Sequence, residues 1–224
     1  KTGTIYVNRI SKWTIGNDEF SYNAGIVEIR PRKDGEFTID TIIEGRKSTD
    51  QMLGYDPRIW DITDDGKYIY IMEKSASGSL STDGIGLGIY DVKNKIYKDF
   101  KDITVLPYKD HLTINPKSNK LIGLIEGSAR EMILNKEVVL LDIDKNNVYN
   151  KIDFMDKDLV AMTPNFTLDG DKLLYSATKG VDISSDFIDY NKVFEDWEVG
   201  PHHIYEYDLK NSQVKKITEG DYYD

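Results

Sequence analysis

The sequence predicts an all-β protein assembled from repeated four-stranded antiparallel units, and three observations lead there. The apolar segments are short, rich in Ile, Val, Tyr, Phe and Thr, and alternate with polar residues at a period of two, most clearly in Lys67–Met72 and Ile204–Leu209. Residues suited to tight turns separate them, as in Asp64-Asp65-Gly66, Lys117-Ser118-Asn119 and Asp169-Gly170. No long stretch carries the 3.6-residue apolar spacing of an amphipathic helix; the acidic Asp189–Glu198 comes nearest.

Two kinds of segment alternate along the chain. One is an apolar strand, a tight polar turn and a second apolar strand: Ile59–Glu73, His111–Glu126 and Pro164–Thr178. The other is a strand ending on an acidic residue, a Lys/Asn turn and a further strand: Gly88–Ile103, Val138–Phe154 and His203–Gly220, with Gly25–Gly45 as an earlier relative. Glu28, Asp91, Asp142 and Asp208 hold equivalent places in this second kind, at intervals of 63, 51 and 66 residues. Recurrence once per unit marks Asp91, Asp142 and Asp208 as hydrogen-bonding devices of the turns, because a catalytic group has no reason to repeat with the fold. One segment of each kind makes a four-stranded unit, and such units in series are the pattern of a β-propeller, one unit to a blade. The approximate blades are 1–50, 51–106, 107–160 and 161–224, a single domain. Thr4–Ile10 reads as the second strand of the first blade, so the expectation is about four blades of a larger ring of six to eight.

The last unit carries a family resemblance. It runs Pro164-Asn165-Phe166-Thr167-Leu168-Asp169-Gly170-Asp171-Lys172, then Ile204-Tyr205-Glu206-Tyr207-Asp208-Leu209, then Ile217-Thr218-Glu219-Gly220. This resembles the TolB-like (WD40-like) propeller repeat of bacteria, whose pattern is Pro-x-aromatic-Ser-Pro-Asp-Gly-Lys, Ile-Tyr-x-x-Asp-Leu and Leu-Thr-x-Gly. Thr167 and Leu168 replace the Ser and Pro, and Asp171 precedes the lysine; the second unit keeps Asp65-Gly66-Lys67 and Ile89-Tyr90-Asp91-Val92. The resemblance implies an extracytoplasmic bacterial protein, secreted or a lipoprotein, that binds a protein, peptide or glycan without catalysis or cofactor. The same repeat builds the propeller of prolyl-oligopeptidase-like serine peptidases, and that is the alternative, with the catalytic domain outside this chain.

Composition removes other classes. Among 224 residues, 29 Lys and Arg face 39 Asp and Glu, a net charge of −10, so no basic stripe exists to neutralise nucleic-acid phosphates. A hydrophobic content of 39% supports a packed core. No run approaches the roughly 18–20 uncharged apolar residues of a membrane helix. Without cysteine there is no disulfide framework, thiol nucleophile or thiolate metal site.

Several segments carry residues with chemical potential. Gly84-Ile85-Gly86-Leu87-Gly88 has the look of a phosphate loop, but no helix follows it, and it reads as a flexible hairpin connection. His202 and His203 are adjacent, so alternation sends one ring inward and the other outward, which suits a strand entrance better than a metal site. No Gly-x-Ser-x-Gly elbow is present, and Asn165-Phe166-Thr167 falls within a strand. The insertion Val181–Gly200 sets six carboxylates against Lys192 alone and carries Phe187, Tyr190, Phe194 and Trp197. Its acids lack the spacing of a calcium loop. It shares its place between second and third strands with Ser11–Ala24 and Ser75–Gly84, so the three read as connections on one face. Trp13, Phe20, Tyr22, Phe187, Tyr190, Trp197 and His202 are therefore the expected ligand- or partner-binding residues, aromatic anchors on long loops. No catalytic or metal-binding residue is assigned.

Overall fold

The computed structural model describes residues 3–15, 17–77, 84–128, 136–180 and 200–221, with the backbone alone at 13–15 and 18–24. The chain divides into two compact units, Lys1–Asp102 and Ile103–Asp224. The all-β class expected from the sequence, with antiparallel four-stranded sheets, is the one observed; one 3-10 turn, Lys109–His111, interrupts it among the described residues.

In the first unit, β1 (Ile5–Ile15), β2 (Asp18–Pro31) and β3 (Phe37–Glu44) form a three-stranded meander. β4 (Tyr55–Ile62), β5 (Tyr68–Ser75), β6 (Ile85–Asp91) and β7 (Ile96–Val105) follow in sheet order. Ile26 and Ile43 of the first sheet meet Ile69, Ile71 and Tyr90 of the next in the core of this unit.

In the second unit, β8 (Leu112–Asn115), β9 (Ser118–Gly127), β10 (Lys136–Ile143) and β11 (Tyr149–Asp153) pair in sequence order. A single bridge joins Val105 to Glu126 of β9. β12 (Leu159–Phe166), β13 (Lys172–Lys179), β14 (His203–Asp208) and β15 (Gln213–Lys216) make the last sheet. Period two is visible in β13, where Leu173, Tyr175 and Ala177 are buried and Leu174 and Ser176 less so. Those three pack with Ile125, Val138, Leu140, Ala161 and Tyr207, and Phe154 stacks on Tyr207 at 4.0 Å between ring centroids. Each fully buried side chain of this size contributes about 1.5–3 kcal/mol.

The tight turns explain the sequence motif. In Thr63–Tyr68, Gly66 N–H donates to Thr63 O (2.7 Å), Thr63 Oγ1 donates to Asp65 Oδ1 (2.9 Å), and Tyr68 N–H donates to Thr63 Oγ1 (3.1 Å). Thr167–Lys172 repeats the arrangement: Gly170 N–H to Thr167 O (2.7 Å), Thr167 Oγ1 to Asp169 Oδ1 (2.6 Å), Lys172 N–H to Thr167 Oγ1 (3.2 Å). Gly66 and Gly170 have φ of 67° and 66°, the left-handed region that favours glycine. In the second unit Asn115 Nδ2 also donates to Gly170 O (2.8 Å). Thr-x-Asp-Gly is thus a self-contained turn.

The recurring acids behave likewise, with one correction. Asp91 accepts from Asn94 N–H and side chain (both 2.9 Å), and Asp208 from the N–H groups of Lys210 (2.8 Å) and Asn211 (3.1 Å). Asp142 has no such role. β10 continues to Ile143, and Asp144 caps its turn, accepting from Asn146 N–H (2.7 Å) and Val148 N–H (2.9 Å). Glu28 accepts from Tyr6 Oη (3.0 Å) and pairs with Arg30 on the sheet, away from its turn.

Two expected connections are strands. Ser11–Ala24 is a paired ribbon: β1 and β2 stay in register as far as Ile15 opposite Asp18. The ribbon's alternation, Trp13 and Ile15 before the turn and Phe20 and Tyr22 after it, is too short on each side to distinguish a strand from a loop. Gly86 and Gly88 lie inside β6, paired with Glu73 and Ile71.

Candidate functional site

Each sheet has a turn end, carrying the tight turns above, and a loop end, from which the longer connections leave. At the turn end the carboxylates that hold the turns are paired within the protein. Asp171 likewise receives Lys117 Nζ (2.7 Å) and Lys210 Nζ (2.9 Å), which hold its carboxyl down to about 2. The loop end differs.

In the second unit, the 3-10 turn before β8 buries His111, which is 7% exposed and packs 5.0 Å from the Tyr108 ring. Its Nδ1 meets no hydrogen-bond partner. Burial pushes its pKa down, opposed by Asp110 and reinforced by the buried Lys136. At the end of β13, Thr178 Oγ1 is also buried without a partner, and a Cβ added to Gly200 would stand 3.2 Å from it. His203 is buried opposite Ala177, while His202 is half-buried and its pKa is lowered by burial and by His203. On the neighbouring sheet, a cleft of about 270 Å³ is lined by Thr104, Glu126, Gly127, Ser128 and Glu137. Glu126 there receives Lys151 Nζ at 2.6 Å.

In the first unit the loop end holds Asp56, 8% exposed; Arg58 donates to its Oδ2 (3.0 Å), and Oδ1 meets no partner. Nearby, Tyr97 Oη donates to Glu73 Oε1, and the hydroxyls of Tyr97 and Tyr55 lie 3.4 Å apart. Burial raises the Glu73 carboxyl against the lowering effect of the Tyr97 hydrogen bond, and pushes the Tyr55 phenol up to about 12. The glycines beneath make room: a Cβ on Gly88 would sit 2.7 Å from Tyr97 Cζ, and one on Gly86 2.7 Å from Glu73 Oε2.

Of the residues expected from the sequence, Trp13, Phe20 and Tyr22 lie on the β1–β2 ribbon. Register sets Trp13 opposite Phe20 and Tyr22 opposite Ser11, which assigns positions 13, 20 and 22 to one face of the ribbon. Phe187, Tyr190 and Trp197 lie outside the described residues. His202 stands at the loop end of the last sheet. Asp56, Thr178 and the Glu73–Tyr97–Tyr55 network are not among the residues the sequence singles out. Only the last left a signal, since two glycines two residues apart in a strand imply a bulky neighbour over one face. Among the described residues, no group of three or more His, Cys, Asp or Glu side chains is placed to hold a metal ion, and no helix is long and apolar enough to cross a membrane.

No family model and no curated protein matches this chain. Among solved structures it is similar to TolB from Acinetobacter baumannii, at 17% identity and a TM-score of 0.41, over 88% of this chain and 39% of that one. It is also similar to an oligogalacturonate lyase in complex with manganese, at 10% identity and a TM-score of 0.47, over 89% of this chain and 50% of that one. A third is dipeptidyl peptidase 4 of Porphyromonas gingivalis, at 10% identity and a TM-score of 0.48, over 98% of this chain and 28% of that one. The chain spans half or less of the length of each of these three proteins.

Proposed function

We propose that this chain is a non-catalytic propeller module of the TolB-like kind, which binds a protein, peptide or glycan through the loop ends of its sheets in an extracytoplasmic bacterial protein. One observation carries the binding reading: the contrast between the two ends of the sheets. The turn-end carboxylates of Asp91, Asp144, Asp171 and Asp208 have hydrogen-bonding partners within the protein, whereas His111 Nδ1, Thr178 Oγ1 and Asp56 Oδ1 are buried at loop ends without one. A buried polar atom left unpaired costs about 1–3 kcal/mol, and a ligand that supplies the missing partner recovers it. Trp13, Phe20, Tyr22, Phe187, Tyr190, Trp197 and His202 are the proposed anchors around these groups. The extracytoplasmic setting rests on the repeat resemblance.

The test is selection of a displayed random-peptide library and a glycan array on the protein, repeated on a Trp13→Ser, Trp197→Ser, His202→Ser variant of unchanged thermal stability. Ligands enriched on the parent should lose at least about tenfold in affinity on the variant. Equal binding to both would remove the loop ends as the site.

A further inference from the structure

Asp142 departs from its repeat. The equivalent Asp91 and Asp208 are bound into their turns, but in this sheet Asp144 takes the capping role, and the Asp142 carboxylate makes no hydrogen bond or ion pair among the described residues. Three lysines of the turn end are engaged elsewhere. Lys120 Nζ donates to Asp144 O and to Asn147 Oδ1 (2.8 Å), while Lys117 and Lys210 hold Asp171.

Asp142 instead lines a groove of about 390 Å³ within the second unit. The register explains its companions: Asp142 pairs with Leu121, and Leu140, two residues back on the same strand, pairs with Ile152, so the four share one face. Tyr207 and Leu209 complete the apolar wall, and Ser118 and Ser212 join Asp142 as the polar lining. Leu140 and Tyr207 are core residues, 1% and 4% exposed, so the wall is the rigid outer margin of the packed interior.

We infer that this groove takes a primary ammonium on an aliphatic stem, the side chain of a lysine in a partner peptide, with Asp142 as its counter-ion. The methylenes lie along the half-buried Leu121, Ile152 and Leu209, over a floor formed by Leu140 and Tyr207, as lysine stems do on apolar surfaces. The ammonium has three donors and no acceptor, and the lining offers one carboxylate and two hydroxyls. A guanidinium, with five donors in a fixed fork, is the poorer match. Charge favours the pairing at long range too, since the chain carries −10. The groove is at the turn end, so this inference stands apart from the loop-end reading.

The test is 15N-resolved NMR titration of the whole chain with Ac-Gly-Gly-Lys-Gly-Gly-NH2, the same peptide with acetyl-lysine, and the same with norleucine. Saturable shifts are expected at Leu121, Asp142, Ile152 and Leu209 with the lysine peptide up to about 10 mM, with about three- to tenfold weaker binding for the two neutral peptides. Asp142→Asn should abolish that preference while leaving the spectrum elsewhere unchanged. Equal response to norleucine, preference retained in Asp142→Asn, or no saturation at the groove would each overturn the inference.

Discussion

Replacing Gly88 by alanine tests whether the Glu73–Tyr97 network depends on the bare strand beneath it. The new methyl would stand 2.7 Å from Tyr97 Cε2 and Cζ, well inside van der Waals contact, so the phenol must move. Overpacking of this kind costs about 1–3 kcal/mol. Displacing the hydroxyl also removes a donor from a half-buried carboxylate, adding about 1–3 kcal/mol. Alanine returns about 0.5–1 kcal/mol through its smaller conformational entropy. The expected net loss is about 2–4 kcal/mol. Urea unfolding followed by Trp60, buried in β4 of the same unit, reads it as a lower midpoint at unchanged m-value. The decisive comparison is a double-mutant cycle with Tyr97→Leu, which removes both ring and hydroxyl. In that background Gly88→Ala should cost at least about 1 kcal/mol less, because the clash is gone. Additivity within about 0.5 kcal/mol would show that the ring does not rest on Gly88 and refute the reasoning.

Leu168 is 99% exposed in the position that the repeat pattern gives to proline, so Leu168→Pro should stabilise by about 0.4–1 kcal/mol in urea unfolding. Asp208→Ala, which releases the Lys210 and Asn211 amides, should cost about 0.5–2 kcal/mol, whereas Asp142→Ala should fall within about 0.5 kcal/mol of the parent; the reverse order would return Asp142 to a turn role. His111 has its pKa lowered by burial, so the unfolded chain binds the proton more tightly. Its contribution is present above the unfolded value of about 6.5 and is lost as pH falls through the lower folded value. His111→Phe should therefore flatten the loss of stability between pH 7 and 5 in thermal melts. Glu73 has the opposite sign: its raised pKa makes folding less favourable as pH climbs through it, and Glu73→Gln should make the slope of stability against pH more positive above about 4.5.

What the sequence disclosed and what it concealed divide along a physical line. Period-two alternation and Thr-x-Asp-Gly are local, so the sheets and the turns at 63–68 and 167–172 are legible in the residues themselves. Asp142 misled because a repeat aligned by residue spacing does not show where a strand ends. β10 runs on past the position at which its counterparts stop, and the capping duty passes to Asp144. The ribbon at Ser11–Ala24 misled because its alternation, Trp13 and Ile15 before the turn and Phe20 and Tyr22 after it, is too short on each side to separate a strand from an aromatic loop. Gly86 and Gly88 misled because glycine suits both a loop and a strand pressed from above, and only the neighbour, Tyr97, decides which.

The same distinction bears on where function resides. A turn that satisfies its own polar groups can be repeated from blade to blade without reference to anything outside the chain, which is why the most recognisable residues here are structural. His111, Thr178 and Asp56 belong to no repeated pattern and leave buried atoms unpaired, a cost of about 1–3 kcal/mol each that local folding does not remove. Asp142 adds a complementary case at the opposite end, a residue released from a repeated duty by the length of one strand and left facing a groove. In a fold made of self-sufficient repeats, the positions that break the repeat are the ones at which an outside partner can add a bond without displacing one already made.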